Sequence, residues 1–207
     1  MIYILGDSHS RQFNKMTIPF VGLEPTITLT MHRVGRDKSI YSFNDSLNSE
    51  SNVFILSYGE IDVRCHIKLQ IEKGRNLEEI IETLTENYLS AVKSIIKKYK
   101  AIIICSVTPP LSVVRYDMIH NNSKTIKFPF NGTDEERVTY YRLINNSLEK
   151  KCKEYGFHFL FFSPHYEQED GMLDLYKSDR NVHISQDKAG YIHKMLEDYL
   201  KEIGYVV

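Results

Sequence analysis

Short apolar runs alternate with stretches of helical periodicity along this chain. Residues 2–5, 26–31, 53–58, 101–107 and 157–162 are strand candidates, and the short continuous apolar runs among them suit strands covered on both faces. Between the third and fourth runs, Leu77, Ile80, Ile81, Leu84, Tyr88, Val92, Ile95 and Ile96 recur at the spacing of one helical face, predicting a helix over 77–99. Asn76 with Glu79 three residues on has the form of a capping box for it. A second helix is predicted over 134–155, with Thr133 and Glu136 as its capping pair and Gly156 as its left-handed stop. A third is predicted over 185–203, with Ala189, Ile192, Leu196, Tyr199 and Ile203 on one face and Gly204 after it. Shorter helices are expected after Ser8 and near residues 38–47.

The resulting order, βαβαβαβαβα, predicts an α/β fold: a three-layer α/β/α sandwich on a five-stranded parallel sheet, in the flavodoxin-like strand order 2-1-3-4-5. The 207 residues, 42% hydrophobic and 26% charged, suit a single domain spanning 1–207. Two long connections, 109–132 and 163–182, leave the carboxyl ends of strands. In such sheets that is where ligands bind, so both are expected to wall a site.

Charge narrows the classes of partner. A net charge of −1 and a pI of ≈ 6.7 give no footprint for nucleic acid or an anionic membrane. No apolar stretch approaches bilayer length, and residues 2–5 are too short for a signal-peptide core, so a cytoplasmic protein is expected. The three cysteines, Cys65, Cys105 and Cys152, are far apart and lack CxxC spacing; neither a disulfide framework nor a zinc site is expected. No HExxH, Walker or GxGxxG pattern is present, so no metal and no nucleotide cofactor is expected.

The chemistry concentrates at the two ends of the chain. Gly6-Asp7-Ser8-His9-Ser10 follows the first apolar run, placing a serine hydroxyl in a tight turn at a strand end. Ser178-Asp179-Arg180-Asn181-Val182-His183 precedes the last helix and returns an acid and a histidine to the same rim. Ser8, His183 and Asp179 thus have the composition of a nucleophile, a general base and an orienting carboxylate.

On these residues the chain resembles the SGNH (GDSL-like) hydrolase superfamily. Gly6-Asp7-Ser8 looks like the first block, which implies Ser8 as nucleophile. Gly35 resembles the second-block glycine, implying an oxyanion contact from its backbone N–H. Gly59-Glu60-Ile61-Asp62 resembles the third block, GxND, and Asp179 with His183 the last, DxxH. Two departures stand out. Ile61 occupies the usual asparagine position and has no side-chain donor. Asp179 lies four residues before His183 rather than three, with Arg180 at the usual acid position, which leaves Asp174 as an alternative carboxylate. The GDSHS and GEIDxR motifs, with Gly132-Thr133 and Glu136-Arg137, resemble a divergent branch often encoded near carbohydrate-modifying genes.

The resemblance implies a cofactor-free serine esterase acting on a small-molecule or carbohydrate ester, with an O-acetyl group on a carbohydrate as the expected target, by hydrolysis or transfer. Oxyanion and substrate contacts are expected among Gly35, Arg36, Gly59, Glu60, Asp62, Arg64 and His9. Some of these, and Asp7, have a plainer reading: Asp7 ties down the turn, His9 is a partly exposed first-turn histidine, and Glu60, Asp62 and Arg64 form a structural ion-pair cluster. Two alternatives keep the fold and drop the esterase chemistry: a divergent protein that binds or modifies a glycan, and a flavodoxin-like interaction domain with an inert serine turn. Oligomeric state is not legible.

Overall fold

A computed structural model describes residues 1–22, 29–41, 43–120 and 129–205. Five parallel strands form one sheet: β1 (Ile2–Gly6), β2 (Val21–Gly22), β3 (Val53–Ser57), β4 (Ala101–Cys105) and β5 (His158–Leu160), in the order β2-β1-β3-β4-β5. The helices are α1 (Met31–Asp37), α2 (Ile67–Ile71), α3 (Leu77–Ile95), α4 (Val113–His120), α5 (Asp134–Tyr155) and α6 (Gly190–Glu202). Every residue of β3 and β4 is buried, which is why their sequence, apart from Ser57 at the end of β3, is continuous apolar rather than alternating.

Strand alternation sorts those side chains onto two cores. Leu5, Phe54, Leu56, Ile102 and Ile104 pack with apolar residues of α1, α3 and α5. Ile4, Val53, Ile55 and Ile103 pack on the other face with Phe13 and with Ile192, Leu196 and Leu200 of α6. Three layers result, as the pattern predicts, with the strands' carboxyl ends along one rim.

The helix signals hold well. Asn76 accepts the Glu79 N–H, Thr133 and Glu136 make a reciprocal capping box, and Gly156 ends α5 at φ 73°. α3 stops at Ile95, short of the expected 99, because the Asn48 side-chain oxygen captures the N–H groups of Lys97 and Lys98. The last helix is split: a 3-10 turn at Gln186–Lys188 precedes α6.

The second strand is a correction. The strand expected over 26–31 is absent from its described part: the Thr30 hydroxyl accepts the Arg33 N–H as an N-cap, and Met31 opens α1. Residues 26–28 lie outside the described residues. β2 is instead a two-residue edge strand at Val21–Gly22, too short to leave a period in the sequence. The helix expected near 38–47 lies earlier, as α1, and terminates at Lys38 in a left-handed conformation (φ 48°); only a 3-10 turn at Asp45–Leu47 follows.

The long connections are partly ordered. The first carries α4, with 121–128 outside the described residues, and the second is drawn in by antiparallel bridges pairing Glu167 with Leu173 and Ser178 with Ile184. No helix among the described residues is long and apolar enough to cross a membrane.

Candidate active site

The turn that carries Ser8 is built from its backbone outward. β1 ends at Gly6, where a Cβ would come within 2.6 Å of the Ser57 carbonyl oxygen on β3, so only glycine fits. The Asp7 N–H donates to Ser57 O (3.2 Å) and prolongs the pairing by one residue. The Asp7 carboxylate then caps the 3-10 turn Ser8–Phe13 by accepting the His9 N–H at 2.8 Å, and the Asp7 carbonyl accepts from the Ser10 N–H and hydroxyl. Asp7 shapes the turn, as its plainer reading holds. Within residues 6–10, Ser8 alone is not fully buried.

The loop from the other end of the chain meets it. Ser178 and Ile184 pair as an antiparallel bridge, and the Asp179 N–H donates to His183 O at 3.0 Å. Between them Arg180 takes a left-handed φ of 63°, which absorbs the extra residue of the Asp-x-x-x-His spacing. The His183 Nε2 atom lies 2.8 Å from Ser8 Oγ, across 175 positions of sequence, and its Nδ1 atom lies 2.9 Å from Asp179 Oδ2. Partial burial raises the Asp179 carboxyl, but the His183 ring and the N–H groups of Asn181 and His183 outweigh it and hold it below the usual carboxylate range. Asp174 is committed elsewhere: its carboxylate accepts the Tyr176 N–H and faces Lys177.

Solved structures share this architecture. A GDSL-like lipase from Bacteroides thetaiotaomicron matches with a TM-score of 0.61 at 14% identity, covering 97% of this chain and 87% of that one. Phospholipase A1 from Streptomyces albidoflavus matches at 0.56 and 13% identity, covering 95% and 98%. An acetyl xylan esterase matches at 0.54 and 10% identity, covering 96% and 98%. The chain has the SGNH (GDSL-like) hydrolase fold. No protein-family model and no curated protein sequence matches it.

The remaining candidate residues are engaged in contacts of their own, Gly35 and Arg36 in α1 and Glu60, Asp62 and Arg64 in the segment after β3. Gly35 sits inside α1, where a Cβ would meet the Asn87 backbone of α3 at 2.9 Å; it permits close helix packing, and its amide belongs to the helix ladder. Arg36 is exposed and paired with Asp37. It lines, with His32, His66, Gln70, Arg75 and Asn87, a cavity of ≈ 350 Å³ that neither Ser8 nor His183 borders. At Gly59, φ is 119° and a Cβ would strike Val107 and Met31, so this residue turns the chain under tight packing.

Glu60, Asp62 and Arg64 follow their structural reading. Asp62 is buried and accepts the N–H groups of Met31 (2.8 Å) and His32 (3.4 Å), tying the N-terminus of α1 to a π-helical turn at Asp62–His66. Its Oδ1 also lies 3.2 Å from His66 Nδ1. Arg64 donates from Nε and Nη2 to the two Glu60 oxygens at 2.7 and 3.0 Å, with both side chains buried. Burial opposes the Glu60 charge, but Arg64 and then His9 more than offset it, and the carboxyl sits below its ordinary value. The i, i+4 spacing of Glu60 and Arg64 was the available signal for this pair.

The sequence gives no warning of Phe130, whose ring lies under both the Arg64 and Arg137 guanidiniums at 5.4 and 5.2 Å. Cys65 donates to Pro129 O, and burial pushes its thiol up to about 12, which removes it as a nucleophile at neutral pH. His9 is buried with both ring nitrogens engaged, so it does not offer a substrate contact. No group of three or more metal-ligating side chains occurs among the described residues.

Proposed function

We propose that this protein is a serine acyl hydrolase of SGNH type that works through a Ser8 acyl-enzyme. The observation that carries the reading is the unbroken line from Ser8 Oγ through the His183 ring to Asp179, at 2.8 and 2.9 Å. Asp179 accepts from Nδ1–H, which leaves the Nε2 lone pair directed at the Ser8 hydroxyl. His183 takes the hydroxyl proton as Oγ attacks the ester carbonyl. It returns that proton to the departing alcohol, and the C–O bond of the ester breaks. Water then attacks the acyl carbonyl as it gives a proton to His183, and His183 passes that proton to Ser8 Oγ as the acyl–oxygen bond breaks and the acid leaves. A sugar hydroxyl in place of water makes the second step a transfer.

The oxyanion is the weak point of this site. The Ser8 N–H stands at the head of its 3-10 turn, without an acceptor inside it, and is the donor we assign. Ile61 supplies none, Gly35 is occupied in α1, and two donor atoms of Arg64 are held by Glu60. Each absent donor lowers kcat by about 10²–10³-fold, so turnover is expected to be slow. The substrate class we assign is an O-acylated carbohydrate, acetyl esters first. The acetyl xylan esterase among the structural matches supports that assignment.

A rapid-mixing experiment with 4-nitrophenyl acetate tests the acyl-enzyme. The good leaving group makes acylation outrun deacylation, so a burst of one nitrophenol per protein is expected, with an acetyl increment in the acid-quenched intact mass. A linear release from time zero with no mass increment contradicts the reading.

A further inference from the structure

Beside the Ser8–His183 pair lies a second histidine in an environment that fixes its charge. His9 is 4% exposed. Its Nδ1 atom is 2.9 Å from Asp7 Oδ1, and its Nε2 atom is 3.1 Å from the Val182 carbonyl oxygen, with Glu60 Oε2 at 3.7 Å. Both immediate partners are acceptors: Asp7 Oδ1 already receives the His9 backbone N–H, and a carbonyl oxygen can only accept. A neutral imidazole carries one N–H and would leave one of these contacts as acceptor against acceptor. A doubly protonated ring satisfies both.

The contact to Val182 spans 173 positions and ends one residue before His183. The two imidazole rings are 4.7 Å apart. The bridge therefore joins the turn that presents the nucleophile to the loop that presents the base. We propose that His9 is a positioning residue charged at neutral pH, an imidazolium bridge from Asp7 to the Val182 carbonyl that holds the His183 ring in line with Ser8.

The surroundings balance that charge. From the first turn Asp7 faces it, from the segment after β3 come Glu60 and Arg64, and from the C-terminal loop comes His183. Burial alone would discharge the ring; the Asp7 and Glu60 carboxylates overcome both burial and Arg64, and they hold its pKa above the ordinary histidine value. The sign follows. A raised folded-state value stabilises the fold fully below the unfolded value, about 6.5, and that contribution fades only as pH rises through the higher folded value.

The protonation state is read directly by ¹⁵N-edited NMR of the intact protein, with the His9 signals assigned by their loss in His9→Gln. Protons on both ring nitrogens are expected at pH 7.5, where a free histidine, with a pKa of about 6.5, has lost one. A single ring N–H at that pH overturns the proposal, including the case in which Asp7 holds the proton. The kinetic consequence rests on the acyl-transfer reading above. His9→Gln is expected to lower kcat for the aryl ester by about 10–10²-fold with KM within twofold, because a misplaced base costs on that scale. Unchanged kcat per folded molecule, with only a lower Tm, also overturns it. The NMR result needs no turnover, so it stands or falls separately from the esterase reading; where His9→Gln does not fold, the His9 ring signals are assigned instead by through-bond correlation to the assigned His9 backbone, and the same outcomes decide.

Discussion

Ser8→Ala is expected to remove at least about 10³-fold of the turnover of an aryl acetate, and His183→Ala to do the same, since the two act as one unit. The double variant should be no worse than either alone. That non-additivity is the signature of a shared proton transfer, and additive losses would mean that the 2.8 Å contact between them is incidental to turnover. Asp179→Ala should cost less than either, because the carboxylate is 40% exposed and water can replace part of its contact with His183 Nδ1. The Asp179 carboxyl stays ionised below its usual range, so loss of activity on mild acidification does not come from it. The four rates are read by steady-state kinetics on proteins first shown to be folded by circular dichroism.

Glu60→Ala is expected to have the largest effect on stability. It strips the Glu60 carboxylate from a guanidinium whose side chain is 5% exposed, and breaking a buried pair from one side costs about 3–5 kcal/mol. For a domain of this size that lowers Tm by roughly 10 °C. The apolar double replacement Glu60→Leu with Arg64→Met removes both charges and should recover most of the loss. The pH dependence has a definite sign. The Glu60 carboxyl is held below its ordinary value of 4.5, so its stabilisation is complete above that pH and is lost as pH falls through the lower folded value. Thermal melts of the single and double variants at neutral pH check the pair. A Tm for Glu60→Ala within a degree or two of the parent would show that Arg64 finds water instead.

The architecture was largely legible because it rests on long-range regularities. The apolar runs of β1, β3 and β4 and the helical faces of α3, α5 and α6 are each several residues long, and buried parallel strands announce themselves by continuity. β2 escaped because two residues carry no period, and Thr30 misled because its hydroxyl serves as a cap, where its branching suggests a strand. The site was legible where chain topology alone determines it: two strand-end loops on one rim bring Ser8 and His183 together. It was not legible where bonding partners compete. Arg64 reads as an available cation until Glu60 is seen to occupy it, and Gly35 reads as an oxyanion donor until its helix is seen packed against Asn87 and Tyr88. His9, read as a surface or substrate-facing residue, is closed in by a carbonyl 173 positions away that no local pattern encodes.

The central claim is that the Ser8 hydroxyl is a nucleophile activated by His183. Covalent capture by a fluorophosphonate tests it with no knowledge of the substrate: the protein is treated with the probe and digested, and the modified peptide is sequenced by mass spectrometry. The account predicts a single adduct on Ser8 that disappears in His183→Ala. A native protein that stays unlabelled, or that carries its label on another residue, contradicts it.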